Sequence, residues 1–190
     1  MLPAPYVSSE TIAKQMQLLK EIVPRARRVA ILWTNASSTG QIVRTALDRA
    51  AGSLELRIQY VEVRRPEDIL GALEEISSSN FDASWFQGSS VLRTRMDQIV
   101  AALLKRKLPS ISNIPLFAER GGLVHYAPDV EEFFERTAGY VDRVLKGANP
   151  ADLPVHQPTR YELVVNVKTA RAIGLAIPPA VLARADRVIE

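Results

Sequence analysis

A regular alternation of short apolar runs with amphipathic segments constrains the fold of this chain most. The run RRVAILW at 27–33 is apolar at consecutive positions and is bounded by polar residues, which is typical of a strand covered on both faces, as in a parallel sheet. Strand-like runs recur at 54–63, 81–88 and 108–113, and apolar residues at helical spacing lie between them. The pattern predicts an α/β fold, with a parallel sheet in a three-layer α/β/α arrangement.

The flanking segments extend this pattern. Apolar residues at helical spacing, preceded by a serine that can cap a helix, predict a first helix over 8–22. After residue 114 the pattern changes: we predict a strand within 121–129, a long amphipathic helix at 130–146 and a strand at 161–167. The segment 146–158 is rich in proline and turn formers, and is expected to be extended.

Composition and charge exclude several classes of protein. The chain has 190 residues, of which 47% are hydrophobic and none is cysteine, so disulfides, zinc–thiolate sites and thiol nucleophiles are excluded. The net charge is only +3 and the basic residues are scattered, so we expect no nucleic-acid partner. No apolar run approaches the roughly 18–20 residues of a membrane span. The opening MLPAPYVSSE lacks the basic and apolar regions of a signal peptide, and we expect no export signal in it.

Motifs for catalysis and for cofactors were not found. His125 and His156 lie far apart in the sequence, and we interpret both as surface or hinge residues. The sequence contains no HExxH, Gly-x-Ser-x-Gly, Gly-x-Gly-x-x-Gly or P-loop motif. We therefore expect no enzyme activity, no cofactor and no metal site.

The carboxyl ends of the predicted strands carry the candidate ligand-binding residues, because ligands of open α/β sheets bind there. Helix N-termini near Ser37 and Ser89 suit an anionic group, although Ser37 and Ser38 are equally suited to act as N-caps. Trp85 and Phe86 point to opposite faces of a strand, so one of them is expected in the core. The candidates at the first, third and fourth strand ends are Trp33, Asn35, Ser37, Ser38, Phe86, Gln87, Ser89, Ser90, Asn113 and Phe117.

Two stretches resemble a known family. GGLVHYAPD at 121–129 and the segment from AGYVDRVLKG to the end, 138–190, resemble the C-terminal signature of ABC-transporter substrate-binding proteins of the tryptophan/tyrosine-binding type. LLKEIVPRARRVAILW at 18–33 is similar to the segment that opens the second lobe of that family. The resemblance implies a type I periplasmic-binding-protein fold and a small organic solute, such as an amino acid or a carboxylate, held between two lobes. It also implies an ABC permease as partner and a periplasmic or extracytoplasmic location.

The resemblance also suggests how the chain is divided. Residues 1–123 correspond to the second lobe, 124–158 to crossing segments with a helix that packs on the N-terminal lobe, and 159–190 to the return into the second lobe. The resemblance implies that most of the N-terminal lobe is absent, and we therefore expect the apolar face of that helix to need another partner, such as a second copy of the chain. Tyr126 lies in a crossing segment, where it either stacks on a ligand or packs as a hinge residue. The usual Asn-Pro after the tryptophan is replaced by Thr34-Asn35.

Two alternative functions stay open at this point. A sensory or regulatory module of the same fold would be fused to a signalling or DNA-binding segment. A flavodoxin-like enzyme would need a cofactor loop or a pair of acid and base residues, and neither is evident.

Overall fold

The computed structural model describes residues 8–34, 40–86, 88–154 and 158–190, and these form one mixed sheet with helices on both faces. The strands are β1 (Arg28–Trp33), β2 (Arg57–Glu62), β3 (Ala83–Phe86), β4 (Ser110–Ser112), β5 (Val124–Pro128), β6 (Tyr161–Asn166) and β7 (Arg187–Ile189). The helices are α1 (Ser9–Ile22), α2 (Gly40–Ser53), α3 (Ile69–Ser78), α4 (Ser90–Arg93), α5 (Met96–Lys105), α6 (Val130–Leu145), α7 (Val167–Ile173) and α8 (Pro179–Leu182). Short 3-10 turns lie at Pro66–Asp68 and Pro150–Asp152.

The strand order is β2-β1-β3-β4-β5-β6-β7. Strands β1 to β5 are mutually parallel, so the predicted α/β architecture is confirmed. Strand β6 runs antiparallel to β5, and β7 is parallel to β6. The sequence pattern predicted neither the reversal nor β7, a three-residue strand at the edge of the sheet.

Two apolar layers explain the consecutive apolar residues of β1. Val29, Ile31 and Trp33 pack in the layer under α1, α2, α7 and α8. Ala30 and Leu32 pack in the opposite layer, which includes residues of α3 and α5. Every second residue of a strand faces the same side, so a strand with two covered faces needs apolar residues at adjacent positions.

Helix boundaries mostly follow the sequence signals. The hydroxyl of Ser8 accepts a hydrogen bond of 3.0 Å from the backbone N–H of Thr11, which caps α1 as predicted. Apolar residues at helical spacing over 91–106 predict a single helix, and this prediction is wrong in one respect. Arg95 has φ −123° and ψ 23°, outside the helical region, and separates α4 from α5.

Helix α6 is attached to the rest of the chain chiefly through its first turn. Glu132 is its buried residue, and its carboxylate accepts hydrogen bonds from the backbone N–H groups of Thr159 (3.1 Å) and Arg160 (2.8 Å). The large apolar side chains that α6 leaves exposed are Phe133, Phe134, Val141, Val144 and Leu145.

Strand β5 lies inside the sheet, between β4 and β6, although the resemblance assigned it to a crossing segment. The division of the chain at residues 123 and 158 stays a prediction. Among the described residues, no helix combines the length and the apolar character needed to cross a membrane.

Candidate functional site

The carboxyl ends of three neighbouring strands form the edge that the sequence analysis selected. Strand β1 ends at Trp33, β3 at Phe86 and β4 at Ser112. In the parallel register, Leu32 lies opposite Phe86, and Phe86 lies opposite Ser112. The carboxyl ends of β1, β3 and β4 therefore lie side by side at this edge of the sheet.

Side chains of the 112–113 segment hold the β3 and β4 turns together. The N–H of Gly88 donates a hydrogen bond of 2.7 Å to Oδ1 of Asn113. The hydroxyl of Ser112 donates to the carbonyl of Phe86 and accepts from the N–H of Ile114, both at 3.1 Å. A methyl group on Gly88 would lie 2.8 Å from Oδ1 of Asn113, so either the turn or the Asn113 side chain would have to shift to make room for it. Asn113 thus shapes this edge of the sheet.

Ser89 and Ser90 occupy the start of α4. The hydroxyl of Ser89 accepts a hydrogen bond of 3.1 Å from the N–H of Leu92, so Ser89 is the N-cap of α4. Helix α4 has only four residues, and its own cap already uses one of its N–H groups. The structure thus offers little support for an anionic group at this helix. Ser90 is exposed as the first residue of α4.

The aromatic candidates are core residues, which corrects their assignment to a ligand surface. Phe86 and Phe117 are buried, and their rings meet edge to face with centroids 4.6 Å apart. Trp33 is also buried and packs edge-on against Tyr60 at 5.6 Å. Trp85 and Phe86 are both core residues, although only one was expected to be. The reason is that β3 has an apolar layer on each of its faces.

Tyr126 packs against its own sheet, and the choice between a ligand-stacking residue and a hinge residue stays a prediction. Its ring stacks on Tyr161 with centroids 5.6 Å apart and an interplanar angle of 11°. Burial, followed by the charges of Tyr161 and Asp186, raises its pKa above the usual value. The backbone carbonyl of Tyr126 accepts a 2.6 Å hydrogen bond from Nε2 of Gln15, and Oε1 of Gln15 accepts a 2.7 Å bond from the indole N–H of Trp85. Sequence reasoning missed this buried polar chain, which joins residues far apart in sequence.

Four candidates, Asn35, Ser37, Ser38 and Gln87, and also His156, lie outside the described residues. Their roles stay predictions.

His125 is buried, so its interpretation as a surface residue is wrong. Burial lowers the pKa of its imidazole to about 4, although hydrogen bonds with the backbone of Ile114 and Ser112 act in the opposite direction. The residue lines a cleft of about 660 Å³ beside the carboxyl edge of the sheet. No group of three or more potential metal ligands occurs among the residues that the structure describes.

Several solved structures share this architecture. A conserved domain protein from Vibrio cholerae is 22% identical with a TM-score of 0.86, over 93% of this chain and 60% of that one. An ABC domain from Streptococcus pneumonia, solved in complex with L-Trp, is 24% identical with a TM-score of 0.85, over 94% and 62% of the two chains. A ligand-free, open substrate-binding protein from Clostridium difficile is 17% identical with a TM-score of 0.70, over 93% and 59%. The chain therefore shares its fold with these proteins.

The sequence comparison gives the family. The model of the ABC transporter substrate-binding protein family matches residues 7–189, and the chain belongs to that family. A tyrosine-binding protein of Clostridioides difficile (strain R20291) is 18% identical over 165 residues, which are 87% of this chain and 48% of that protein. The chain thus spans about half the length of this curated relative.

Proposed function

We propose that this chain is the solute-binding part of an ABC importer and that it binds a small organic solute, of the amino-acid or carboxylate class, without catalysis. Family membership supports the general role, since the matched model describes substrate-binding proteins. The solute class is suggested by the tyrosine-binding relative and by the similar structure that holds L-Trp. The importer role carries with it an ABC permease as partner of the whole protein, and an extracytoplasmic location.

The proposed site is supported chiefly by the hydrogen bond that holds the turns at Gly88 and Asn113 together. A binding site needs groups held in place before the ligand arrives, because ordering them on binding costs free energy. The hydrogen bond between Gly88 and Asn113 supplies that order at the carboxyl edge. We propose that the solute lies over this edge, where Asn113 holds the turn in place and the predicted residues Asn35 and Gln87 orient the solute. Trp33, Phe86 and Phe117 act beneath it as packing residues, since their rings are buried.

The N-terminus of α2 is the preferred place for an anionic group in this proposal. Helix α2 has 14 residues, so its N-terminal N–H groups and its dipole favour negative charge more than those of the short α4. The predicted residues Ser37 and Ser38 lie just before α2, outside the described residues.

NMR titration of the chain tests the proposed site, because it detects weak binding residue by residue. L-Trp, L-Tyr and benzoate would be added at millimolar concentrations to isotopically labelled protein. We expect shift changes concentrated at 33–40, 86–90 and 112–114, and weak affinity, since one wall of a two-lobed cleft makes only part of the contacts. Asn113→Ala should remove these changes, whereas Gln17→Ala, on the exposed side of α1, should leave them intact. Shift changes centred elsewhere would overturn the proposed position of the solute.

The exposed apolar side chains of α6 form a surface to which a second protein partner can bind. Phe134, Val141 and Leu145 are all more than half exposed on one helix, which is unusual for a surface without a binding role. In a longer relative this face would meet the other lobe. We propose that in this chain as it stands the face pairs with a second copy.

A further inference from the structure

Basic residues are concentrated at the amino edge of the parallel strands, which is the opposite edge of the sheet from the proposed solute site. Four neighbouring strands, β2, β1, β3 and β4, begin there, after the junctions at 53–57, 24–28, 79–83 and 105–110. Arg28 lies opposite Arg57 in the register, and the N–H of Asp82 donates to the carbonyl of Arg28. Neighbouring strands are about 4.8 Å apart, so the four junctions lie within a width of about 15 Å.

These four junctions carry more positive charge than the whole chain. They contain seven basic residues and two acidic ones, Glu55 and Asp82, whereas the net charge of the chain is +3. The rest of the chain is therefore net negative. The seven basic residues are all exposed, and together they are called the basic edge: Arg25, Arg27, Arg28, Arg57, Lys105, Arg106 and Lys107. Only the strand order brings the runs at 25–28 and 105–107 together.

The charges of the basic edge are not compensated by ion pairs within the molecule. Among the residues that the structure describes, every ion pair is made by other side chains. Arg28 lies over the half-buried ring of Phe81, 5.5 Å from its centroid. The carboxylate of Asp82 is directed to the backbone, where it accepts the N–H groups of Arg27 (2.7 Å) and Arg28 (2.8 Å). The basic side chains therefore remain available to an external anion.

The opposite edge of the sheet has the opposite sign of charge. Glu162 lies there, because β6 runs antiparallel to β5 and begins at the carboxyl edge. Burial raises the pKa of the Glu162 carboxyl, and the charges of Asp129, Asp186 and Glu131 raise it further. Positive and negative charge are thus separated along the strand direction. A large anionic surface would attract such a molecule with the basic edge towards it.

We propose that the basic edge binds to the surface of a membrane that contains anionic phospholipids. Clusters of about four to eight Lys and Arg residues bind such membranes by electrostatic attraction, without a shaped pocket. The basic edge has that number of cations, on long side chains that extend from several adjacent strand starts. A single-stranded nucleic acid fits less well, since its bases need aromatic rings to stack on, and the ring of Phe81 is half-buried beneath Arg28.

This mode of binding would orient the solute site. With the basic edge on the membrane, the carboxyl edge faces away from the lipid and stays accessible to solute. The importer role proposed above would place the chain beside a membrane, and in this respect alone the inference rests on it.

Co-sedimentation of the whole chain with lipid vesicles tests the inference. Vesicles made of equal parts phosphatidylglycerol and phosphatidylcholine supply the anionic surface, and vesicles of pure phosphatidylcholine are the control. We expect the protein to sediment with the anionic vesicles at low salt and to stay in solution with the neutral ones. Salt at about 1 M, which reduces the screening length to about 3 Å, should release it.

Two double variants separate the basic edge from net charge. Arg27→Gln/Arg57→Gln removes two cations of the basic edge and should weaken binding to anionic vesicles by about 25-fold, at about fivefold for each charge. Arg93→Gln/Arg95→Gln removes two exposed cations from α4 and the residue that follows it, beyond the carboxyl end of β3, and should change binding by less than about threefold. Both variants have the same net charge.

A further variant checks the other side of the basic edge. Lys105→Gln/Arg106→Gln lies at the end of α5 and should weaken binding to a similar extent as Arg27→Gln/Arg57→Gln. Agreement between these two variants would exclude a local effect of either pair on folding. Circular dichroism should show unchanged melting for both, since all four side chains are exposed.

Three outcomes would overturn the inference. Equal losses in Arg27→Gln/Arg57→Gln and Arg93→Gln/Arg95→Gln would show that only the net charge matters. Equal binding to neutral and anionic vesicles would assign the contact to apolar side chains. Binding of poly-L-glutamate as tight as that of vesicles at the same concentration of negative charge would assign the basic edge to an acidic protein. Solute binding is read separately, from amides at the carboxyl edge without lipid, so failure of one test leaves the other intact.

Discussion

The backbone N–H of Gly88 donates a hydrogen bond of 2.7 Å to the side-chain oxygen of Asn113, and this bond joins the turns that follow β3 and β4. The two residues are 25 positions apart in sequence, yet the parallel pairing of β3 with β4 brings them together at one edge of the sheet. The bond fixes the shape of the backbone where solute binding is proposed.

Replacement of Gly88 by alanine should disturb this turn. The new methyl group would lie 2.8 Å from Oδ1 of Asn113, closer than a carbon and an oxygen can approach, so the hydrogen bond must break or the turn must move. We expect a loss of about 1–3 kcal/mol in the free energy of unfolding, measured by chemical denaturation, together with weaker solute binding. Gly71→Ala is the matched control in α3, where nothing lies within 4 Å of the added methyl. It should be neutral or stabilising.

The buried glutamine of α1 offers a second test. Gln15→Leu keeps a similar volume but leaves the indole N–H of Trp85 and the carbonyl of Tyr126 without their partners. Each unsatisfied group costs about 1–3 kcal/mol, so the variant should unfold at clearly lower denaturant concentration. Gln17→Leu, two residues away on the exposed side of the same helix, should change stability little. Equal stability of Gln15→Leu and the parent chain would contradict the buried polar chain.

Low pH should weaken the hydrogen bonds that attach the first turn of α6 to the segment at 159–160. Hydrogen bonds from the Thr159 hydroxyl and the Arg160 N–H, among others, lower the pKa of Glu132 from 4.5 to about 2. A lowered pKa in the folded state means that the stabilisation is complete above pH 4.5 and is lost as the pH falls towards 2. Glu132→Gln should therefore be less stable than the parent at neutral pH, and the difference should shrink through this range. Circular dichroism during denaturation at several pH values measures it.

The control for this prediction lies on the same helix. Glu135 is an exposed acid that lies 3.5 Å from Arg160 at the surface. Glu135→Gln should change stability by less than about 1 kcal/mol, as is usual for exposed ion pairs. A difference between Glu132→Gln and the parent that stays constant from neutral to acid pH would show that the carboxylate hydrogen bonds are not its cause.

The exposed face of α6 should govern self-association. Phe134 is 64% exposed, and Phe134→Ser reduces the apolar area without altering the packed first turn. We expect the parent chain to form dimers in sedimentation-velocity experiments and Phe134→Ser to shift the distribution towards monomers. Ile42→Ser, a similar change to an exposed side chain on α2, should leave the dimer unchanged. A parent chain that is monomeric at all accessible concentrations would exclude the second copy as partner of this face.

Local chemistry was enough to predict most elements of the fold. Adjacent apolar residues in β1, the capping hydroxyl of Ser8 and the amphipathic stripe of α6 are each features of a few neighbouring residues, and each was read correctly. The break between α4 and α5 was missed, because apolar residues continue at helical spacing across Arg95 while its backbone leaves the helical region. Strand β7 was missed because three edge residues carry almost no periodic signal.

The positions of the candidate site residues were predicted in part. The strand-end rule placed Asn113 and the turn after β3 correctly at one edge, because chain direction in a parallel sheet fixes where strands end. It could not decide which aromatic side chains at those ends face a ligand. Phe86 and Phe117 pack together in the core, and their pairing depends on the position of the loop after β4.

The sequence by itself determined the alternation of strands and helices, the two apolar layers and the family, because each depends on residue order alone. Tertiary structure decided the partners of individual polar atoms. It placed Gln15 within hydrogen-bonding distance of Trp85 and Gly88 within hydrogen-bonding distance of Asn113. It also left Nδ1 of His125 buried without a hydrogen-bond partner among the described residues. The physical reason is that hydrogen bonds act over about 3 Å. Which distant residues come within that distance depends on strand order and register, which short-range patterns do not encode.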